Sequence, residues 1–153
     1  MSLSPTMPGI ESCTLLVTQE IHVRASVEQT FEALLEQLGP ENETPEAKMP
    51  MKLEAWPGGR WFRDLGENNG HFWGHVQAIK RPTLLEITGP LFMSYAVASN
   101  LQYRLSDEGG GSTLIKFHHK AFGLIQEEHR RGVTEGWSKI NSLIKARAER
   151  ATK

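Results

Sequence analysis

The chain has 153 residues, of which 39% are hydrophobic and 23% are charged, as is ordinary for one globular domain. Its 17 basic and 18 acidic residues give a net charge of −1, and no basic block alternates with aromatic residues, so a nucleic-acid partner is not expected. No apolar run is long enough to span a membrane, so a membrane partner is not expected either.

The first twelve residues, 1–12, lack the charged start and apolar run of a signal peptide, and their serines, prolines and glycine predict a flexible tail. Residues 13–150 contain no repeat or linker and are predicted to form a single domain. Cys13 is the only cysteine, so no internal disulfide can form, which is typical of the reducing cytoplasm. We therefore expect a cytoplasmic protein in which Cys13 has no special role.

One strand and one helix are predicted at the start of the domain. Residues 14–24 alternate between apolar and polar side chains, the pattern of a half-buried strand. Ser26 and the glutamine three residues later have the form of a capping box, which predicts a helix after Ser26. The pair Gly39-Pro40 predicts the end of that helix, and the polar, proline-rich residues 40–50 predict a loop.

The middle of the chain is predicted to be an antiparallel meander. Alternating segments broken by glycine and proline predict six strands, at 51–56, 60–65, 71–79, 84–88, 96–105 and 112–121. Within 71–79, strict alternation places Phe72, Gly74 and Val76 on one face and His71, Trp73 and His75 on the other. Which set faces inward stays open, and a bulge near Ala78 is a further way to change the register.

A long amphipathic helix is predicted from residue 125 onward. Its apolar residues recur at multiples of one or two helical turns: Ile125, Val133, Trp137, Ile140 and Ile144. This stripe needs a large apolar partner, and only the preceding sheet is big enough. The predicted fold class is therefore α+β, with a curved antiparallel sheet of about seven strands around a long C-terminal helix, and such an arrangement often encloses a cavity.

Two glycines interrupt the predicted helix. Gly132 and Gly136 each cost a helix interior about 1 kcal/mol relative to alanine. They lie one turn apart on the same side. We expect the compensation to be either the close approach of another backbone or room for a ligand beside Trp137.

Five groups of residues follow one another in an order and spacing typical of a known superfamily. They are Ile21–Ser26 leading into Phe31, Pro57–Arg60, Gly74–Val76 through Pro82 and Leu85, Thr113–His119 with Phe122-Gly123, and Gly136-Trp137 with Ile140 and Leu143. By them the chain resembles the SRPBCC or START-like superfamily, the helix-grip fold, over residues 15–148. Within it, the chain is most similar to the branch related to the activator of the heat-shock-protein-90 ATPase and to polyketide-cyclase-like proteins.

The resemblance implies a fold and a pocket but not a reaction. The superfamily includes lipid carriers, hormone receptors, cyclases and co-chaperone domains on one scaffold, so function does not follow from the fold alone. It implies a pocket between the long helix and the sheet.

Candidate ligand-binding residues come mainly from the aromatic side chains of the sheet and the last helix. For each of them, core packing is the alternative to a place in the pocket wall. For Arg63, which could bind an anionic ligand at the rim, the alternative is a solvated surface arginine. The candidate residues are Trp61, Arg63, Trp73, His75, Phe92, Tyr103, Phe117, His119, His129, Val133 and Trp137.

His119 carries two alternative interpretations. It shares strand parity with Ile115 and Phe117, so it is expected to point inward at the end of an apolar row. It also falls on a histidine that recurs in the branch the chain resembles. It is either a core histidine satisfied by a backbone carbonyl or a polar anchor at the pocket wall.

No metal site, cofactor or catalytic group is predicted. His71 and His75 lie four apart in a segment whose neighbours favour a strand, which separates their Cα atoms by about 13 Å, too far for two ligands of one metal. We expect first a protein that binds a small apolar or amphipathic molecule. The alternatives are an enzyme of cyclase, dehydratase or hydrolase type acting in the pocket, and a co-chaperone-like interaction module. A homodimer is left open.

Overall fold

The computed structural model describes residues 9–44 and 46–151. Of the predicted N-terminal tail, residues 1–8 lie outside the described residues, and Ile10–Cys13 form one turn of 3₁₀ helix. The elements that follow are β1 (Thr14–Val23), α1 (Val27–Leu38), β2 (Lys52–Leu53), β3 (Arg60–Gly66), β4 (Asn69–Lys80), β5 (Leu84–Gly89), β6 (Val97–Gly109), β7 (Ser112–Gly123) and α2 (Glu127–Ala151). None of the helices in the described ranges has both the length and the apolar character needed to cross a membrane.

The seven strands form one antiparallel sheet in the order β1-β7-β6-β5-β4-β3-β2. Each neighbouring pair from β2 to β7 is consecutive in the chain, so hairpins build the sheet and β1 closes it against β7. The predicted α+β helix-grip architecture is confirmed. β2 is shorter than the predicted strand at 51–56, because residues 54–59 curl into a turn in which the amide of Gly59 donates to the carbonyl of Trp56 at 2.8 Å.

α1 begins and ends where its capping residues predict. The hydroxyl oxygen of Ser26 accepts a hydrogen bond from the amide of Gln29 at 3.1 Å, which satisfies one of the unpaired donors of the first turn. The helix ends at Leu38, directly before Gly39.

A bulge in β4 decides which side chains of this strand face the interior. The pairing of β3 with β4 passes from Trp61↔Gly74 to Phe62↔Phe72, so Trp73 is an extra residue with no partner. A second register shift lies between Val76 and Ala78, near the predicted bulge. Because a bulge turns two successive residues toward one face, Gly74 is buried and Trp73 also turns inward.

The close packing of α2 is against α1 and β1. Its buried residues, Val133, Trp137, Asn141, Ile144 and Ala148, recur at steps of three or four. The predicted stripe is therefore present, except that Asn141 is buried where Ile140 was expected, and Ile140 is only partly buried. The first half of α2 faces β3 and β4 across a gap.

Candidate functional site

A pocket of about 440 Å³ lies between the first half of α2, the loop after α1, and strands β3 and β4. Its apolar wall consists of Leu38, Met49, Trp61, Trp73, Phe92, Val133, Trp137 and Ile140. Gly132 and Gly136 border it, as do the polar residues Asn42, Thr44, Glu46, Glu128, His129 and Lys139. Ligand pockets commonly measure about 300–1,000 Å³ and have mostly apolar walls with a few polar groups. The size and lining therefore suit a small organic molecule.

The two glycines of α2 keep one side of the pocket open to solvent. Both are exposed, and a Cβ atom built on either would meet no other atom within 4 Å. Close approach of another backbone, one of the two expected compensations, is thus absent at these positions. The absence of side chains at Gly132 and Gly136 leaves open space, which we call the mouth of the pocket.

The three indole N–H groups of the wall are all bonded to the protein. The indole of Trp61 donates to the carbonyl of Leu38 at 2.7 Å. The indole of Trp73 donates to Nδ1 of His71 at 3.0 Å, and that of Trp137 donates to Nδ1 of His119 at 2.9 Å. An occupied donor gains little from a ligand. The tryptophans therefore offer the pocket the carbon surfaces of their rings.

His119 is a buried, neutral histidine with both ring nitrogens occupied. Because Nδ1 accepts the N–H of Trp137, the ring proton is on Nε2, which donates to the hydroxyl of Ser99 at 3.0 Å. Burial lowers the pKa of His119 to about 4. His119 is fully buried and lies outside the pocket wall, which is the geometry of a core histidine. Its partners are side chains rather than the expected backbone carbonyl.

A second polar network joins Tyr103, Asn141 and Gln19. The hydroxyl of Tyr103 donates to Oδ1 of Asn141 at 2.8 Å, and Nδ2 of Asn141 donates to Oε1 of Gln19 at 2.8 Å. Burial raises the pKa of the Tyr103 phenol, which therefore stays protonated. Sequence reasoning missed Asn141. Its signal was a polar residue four positions after Trp137, on the buried stripe.

His129 presents its second ring nitrogen without a protein partner. The phenol oxygen of Tyr95 accepts the amide of Gln126 at 3.2 Å and lies 2.9 Å from Nδ1 of His129. The phenol proton has no other acceptor among the described residues, so it goes to Nδ1, and the imidazole carries its own proton on Nε2. Within 9–44 and 46–151, nothing accepts a hydrogen bond from this Nε2–H.

Arg147 holds the loop after α1, which forms one wall of the pocket. Nη2 of Arg147 donates to Oε1 of Gln37 and to the carbonyl of Glu41, both at 3.2 Å. Nε2 of Gln37 then donates to Oδ1 of Asn42 at 3.2 Å and to the carbonyl of Glu43 at 3.0 Å. These bonds connect both helices to the loop and hold Asn42 against the pocket.

The structure brings part of the predicted site residues together. The pocket wall contains Trp61, Trp73, Phe92, His129, Val133 and Trp137. Phe117 lies 5.1 Å from Trp137 between ring centroids, and Tyr103 lies 4.9 Å from Phe117, so both belong to a layer beneath the wall.

Arg63 and His75 lie elsewhere on the sheet. Arg63 is half-buried on β3, opposite His71 in the ladder. His75 is exposed, and its Nδ1 lies 3.1 Å from the carbonyl of Gly58. Neither borders the pocket. In the described part of the chain, no group of three or more His, Cys, Asp or Glu residues could hold a metal ion.

Solved structures share this fold at low sequence identity. The Zhui aromatase/cyclase from Streptomyces sp. R1128 is 13% identical, with a TM-score of 0.63 over 92% of this chain and 96% of that one. Protein MLL2253 from Mesorhizobium loti is 16% identical, with a TM-score of 0.67 over 88% and 97%. The di-domain ARO/CYC StfQ from the steffimycin biosynthetic pathway is 12% identical, with a TM-score of 0.65 over 93% of this chain but only 53% of its own.

At these identities the likeness shows the fold alone. No curated protein matches the sequence. A family model, described as activator of Hsp90 ATPase homolog 1-like protein, matches residues 24–149. Since this match spans most of the chain, the protein belongs to the activator of Hsp90 ATPase homolog 1-like family.

Proposed function

We propose that the protein binds a small, mostly apolar molecule in the pocket between α2 and strands β3 and β4. The observation that carries the proposal is the open mouth at Gly132 and Gly136 in a pocket whose wall includes three indole rings. Two helical glycines cost about 2 kcal/mol relative to alanines, and no neighbouring atom requires them here. The space that the two glycines leave gives a ligand access to the pocket.

The contacts support binding more than catalysis. A catalytic acid or base needs a free proton or lone pair within reach of its substrate. Both ring nitrogens of His119 are engaged, and the hydroxyl of Tyr103 is bonded to Asn141. Neither side chain borders the pocket, so both are committed to the core, and among the described histidines only His129 offers the pocket an unbonded ring nitrogen.

The test is to identify what the protein retains. The purified chain is incubated with a mixed metabolite extract, desalted, and its bound species are released and identified by mass spectrometry. Gly132→Leu/Gly136→Leu places two isobutyl groups at the mouth and is expected to lose the retained species. Arg131→Leu adds the same side chain at an exposed position of the same helix outside the wall, and is expected to retain them.

Two results would overturn the binding proposal. One is that the wild-type chain retains nothing above the level of an unrelated control protein. The other is that the folded double-leucine variant retains the same species in the same amounts, because the bound molecule would then lie elsewhere.

A second candidate is an interaction module that acts on an Hsp90-type ATPase, as the family description suggests. The supporting observation is a pair of exposed apolar side chains, Leu16 and Phe122, whose exposed fractions are 64% and 59%. Their strands pair Thr14 with Phe122 and Leu16 with Lys120, so the two are diagonal neighbours on the outer face. Purified Hsp90 should then hydrolyse ATP faster with the wild-type chain than with Leu16→Ser/Phe122→Ser. Equal rates would reject this candidate.

A further inference from the structure

Two hydrogen-bond relays end at the pocket, and both end in a donor. This inference rests on the proposed function and concerns the chemistry of the molecule that the pocket accepts. Each relay begins at a group that can only donate. This start fixes every bond of the first relay, and in the second the direction follows because the Tyr95 hydroxyl has no other acceptor in the described part of the chain.

The first relay begins at Arg147. A guanidinium has no acceptor, so the group of Gln37 that it contacts is the amide oxygen. The amide nitrogen of Gln37 therefore faces Asn42 and donates to its Oδ1. The group of Asn42 that remains is Nδ2, a donor. Asn42 is buried and borders the pocket, and this nitrogen has no hydrogen-bond partner within the described ranges.

The second relay begins at the backbone amide of Gln126. This N–H donates to the phenol oxygen of Tyr95, whose own proton goes to Nδ1 of His129. The remaining group is Nε2–H of His129, again a donor at the pocket. The two relays come from different elements of the wall, one from the loop after α1 and one from the start of α2.

The other groups of the pocket add ring surfaces and negative charge. The indole N–H groups are occupied, and the hydroxyl of Thr44 is bonded to Ala47. At the mouth, Glu46 and Glu128 have no ion-pair partner among the described residues, whereas Lys139 lies 3.6 Å from a carboxylate oxygen of Glu135. The mouth therefore disfavours an anion.

We propose that the pocket selects an uncharged aryl carbonyl compound, with its rings against the indoles and its carbonyl oxygen accepting from His129 Nε2 or Asn42 Nδ2. A carbonyl supplies an acceptor and no donor, which complements a pocket whose free nitrogens only donate. Flat rings match the surfaces of Trp61, Trp73 and Trp137. An uncharged ligand avoids the repulsion of the two mouth carboxylates.

The experiment compares four probes by isothermal titration calorimetry on the full chain. They are 2-acetylnaphthalene, its near-isostere 2-ethylnaphthalene, the anion 2-naphthoate, and the ring-free ketone 2-dodecanone. We expect 2-acetylnaphthalene to bind about five-fold more tightly than 2-ethylnaphthalene, the usual gain from one net hydrogen bond. We expect 2-naphthoate and 2-dodecanone to bind more weakly than the aryl ketone.

Two variants test the donors separately. Asn42→Asp keeps the oxygen that accepts from Gln37 and replaces the donor by an acceptor, so it should bind 2-acetylnaphthalene more weakly. His129→Phe keeps a ring beside Phe92 and removes the nitrogen. At least one of the two variants should bind 2-acetylnaphthalene and 2-ethylnaphthalene with about equal affinity. His22→Phe, at an exposed position of β1, should leave the preference unchanged.

The comparison of the four probes on the wild-type chain does not depend on whether a variant folds. Equal or tighter binding of 2-ethylnaphthalene overturns the role of the donors, and tighter binding of 2-naphthoate overturns the uncharged ligand. Tighter binding of 2-dodecanone overturns the ring requirement. If none of the four binds, this ligand class is wrong, whereas the proposed function is judged separately by the retained-metabolite experiment, which does not depend on these probes.

Discussion

The indole nitrogen of Trp137 donates a hydrogen bond of 2.9 Å to Nδ1 of His119 and so connects the last helix to β7. The same bond sets two properties of the site. It removes the N–H of Trp137 from the pocket, and it holds His119 in the tautomer that donates to Ser99. A buried donor without a partner costs about 1–3 kcal/mol, so the bond between the two side chains stabilises the fold. It also keeps the pocket wall apolar at Trp137.

The burial of His119 predicts how stability depends on pH. Its pKa is lowered from 6.5 to about 4 in the folded chain, so the unfolded chain binds the proton first as the pH falls. The stabilisation is complete above pH 6.5 and is lost as the pH falls toward 4, by about 3 kcal/mol in all. Chemical denaturation at a series of pH values measures this loss.

The comparison variant is His119→Gln, which does not titrate. Its free energy of unfolding should fall less steeply than that of the wild type between pH 6.5 and 4. Parallel curves for wild type and His119→Gln would contradict the buried, neutral state of His119.

Substitution of Gly136 separates helix stability from pocket access. A Cβ here meets no atom within 4 Å, so Gly136→Ala should raise the free energy of unfolding by about 1 kcal/mol. Gly136→Leu should also fold, but should bind the pocket ligand more weakly. The measurements are thermal unfolding and ligand titration of the same preparations.

Gly123 is the contrasting glycine. It has a φ of 153°, and a Cβ there would lie 2.3 Å from the carbonyl oxygen of Ala96. Gly123→Ala should therefore destabilise the fold, whereas Gly136→Ala stabilises it. A destabilised Gly136→Ala would mean that the space beside this glycine is not open.

Trp61→Phe tests the hydrogen bond that Trp61 makes to the C-terminal end of α1. The indole N–H donates to the carbonyl of Leu38, in the last turn of the helix, and the side chain of Trp61 is almost fully buried. Loss of the donor leaves a buried carbonyl unpaired, at about 1–3 kcal/mol, in addition to the lost ring volume. Urea denaturation should show the difference. Trp56→Phe, at an exposed indole, should change stability by less than about 0.5 kcal/mol, and equal losses for the two variants would refute the claim.

Arg147→Met tests whether the loop wall depends on the helix that holds it. The variant removes the bonds to Gln37 and Glu41, so the amides of Gly39 and of residues 41–44 should exchange with deuterium faster. Ligand affinity should fall as well, because Asn42 loses its fixed position. Arg150→Met, at an exposed arginine of the same helix, is the matched control. Unchanged exchange at Gly39 and 41–44 in Arg147→Met would show that the loop holds its shape independently.

The sequence predicted the fold well because local patterns determine it. Alternation and turn residues located the strands, and the serine cap and the glycine after Leu38 located α1. β2 is shorter than predicted, and the sequence leaves the orientation of Trp73 open. Its orientation depends on a bulge against β3, and a bulge is a property of two paired strands that no periodicity within one strand contains.

The site was predicted only in part, because its polar chemistry depends on long-range partners. The state of His119 is set by Trp137, 18 residues further along the chain, and the free nitrogen of Asn42 is set by Arg147 through Gln37. The loop that carries Asn42 and Met49 has no periodic pattern. Its place in the wall follows from tertiary contacts alone.

Nuclear Overhauser contacts locate a bound probe directly and so test whether the pocket holds the ligand. The chain has four tryptophans, of which Trp61, Trp73 and Trp137 border the pocket and Trp56 is exposed outside it. With 2-acetylnaphthalene bound in the pocket, we expect contacts from the naphthalene protons to ring protons of the three wall indoles. Contacts to Trp56 alone, or to none of the wall residues, would contradict this expectation.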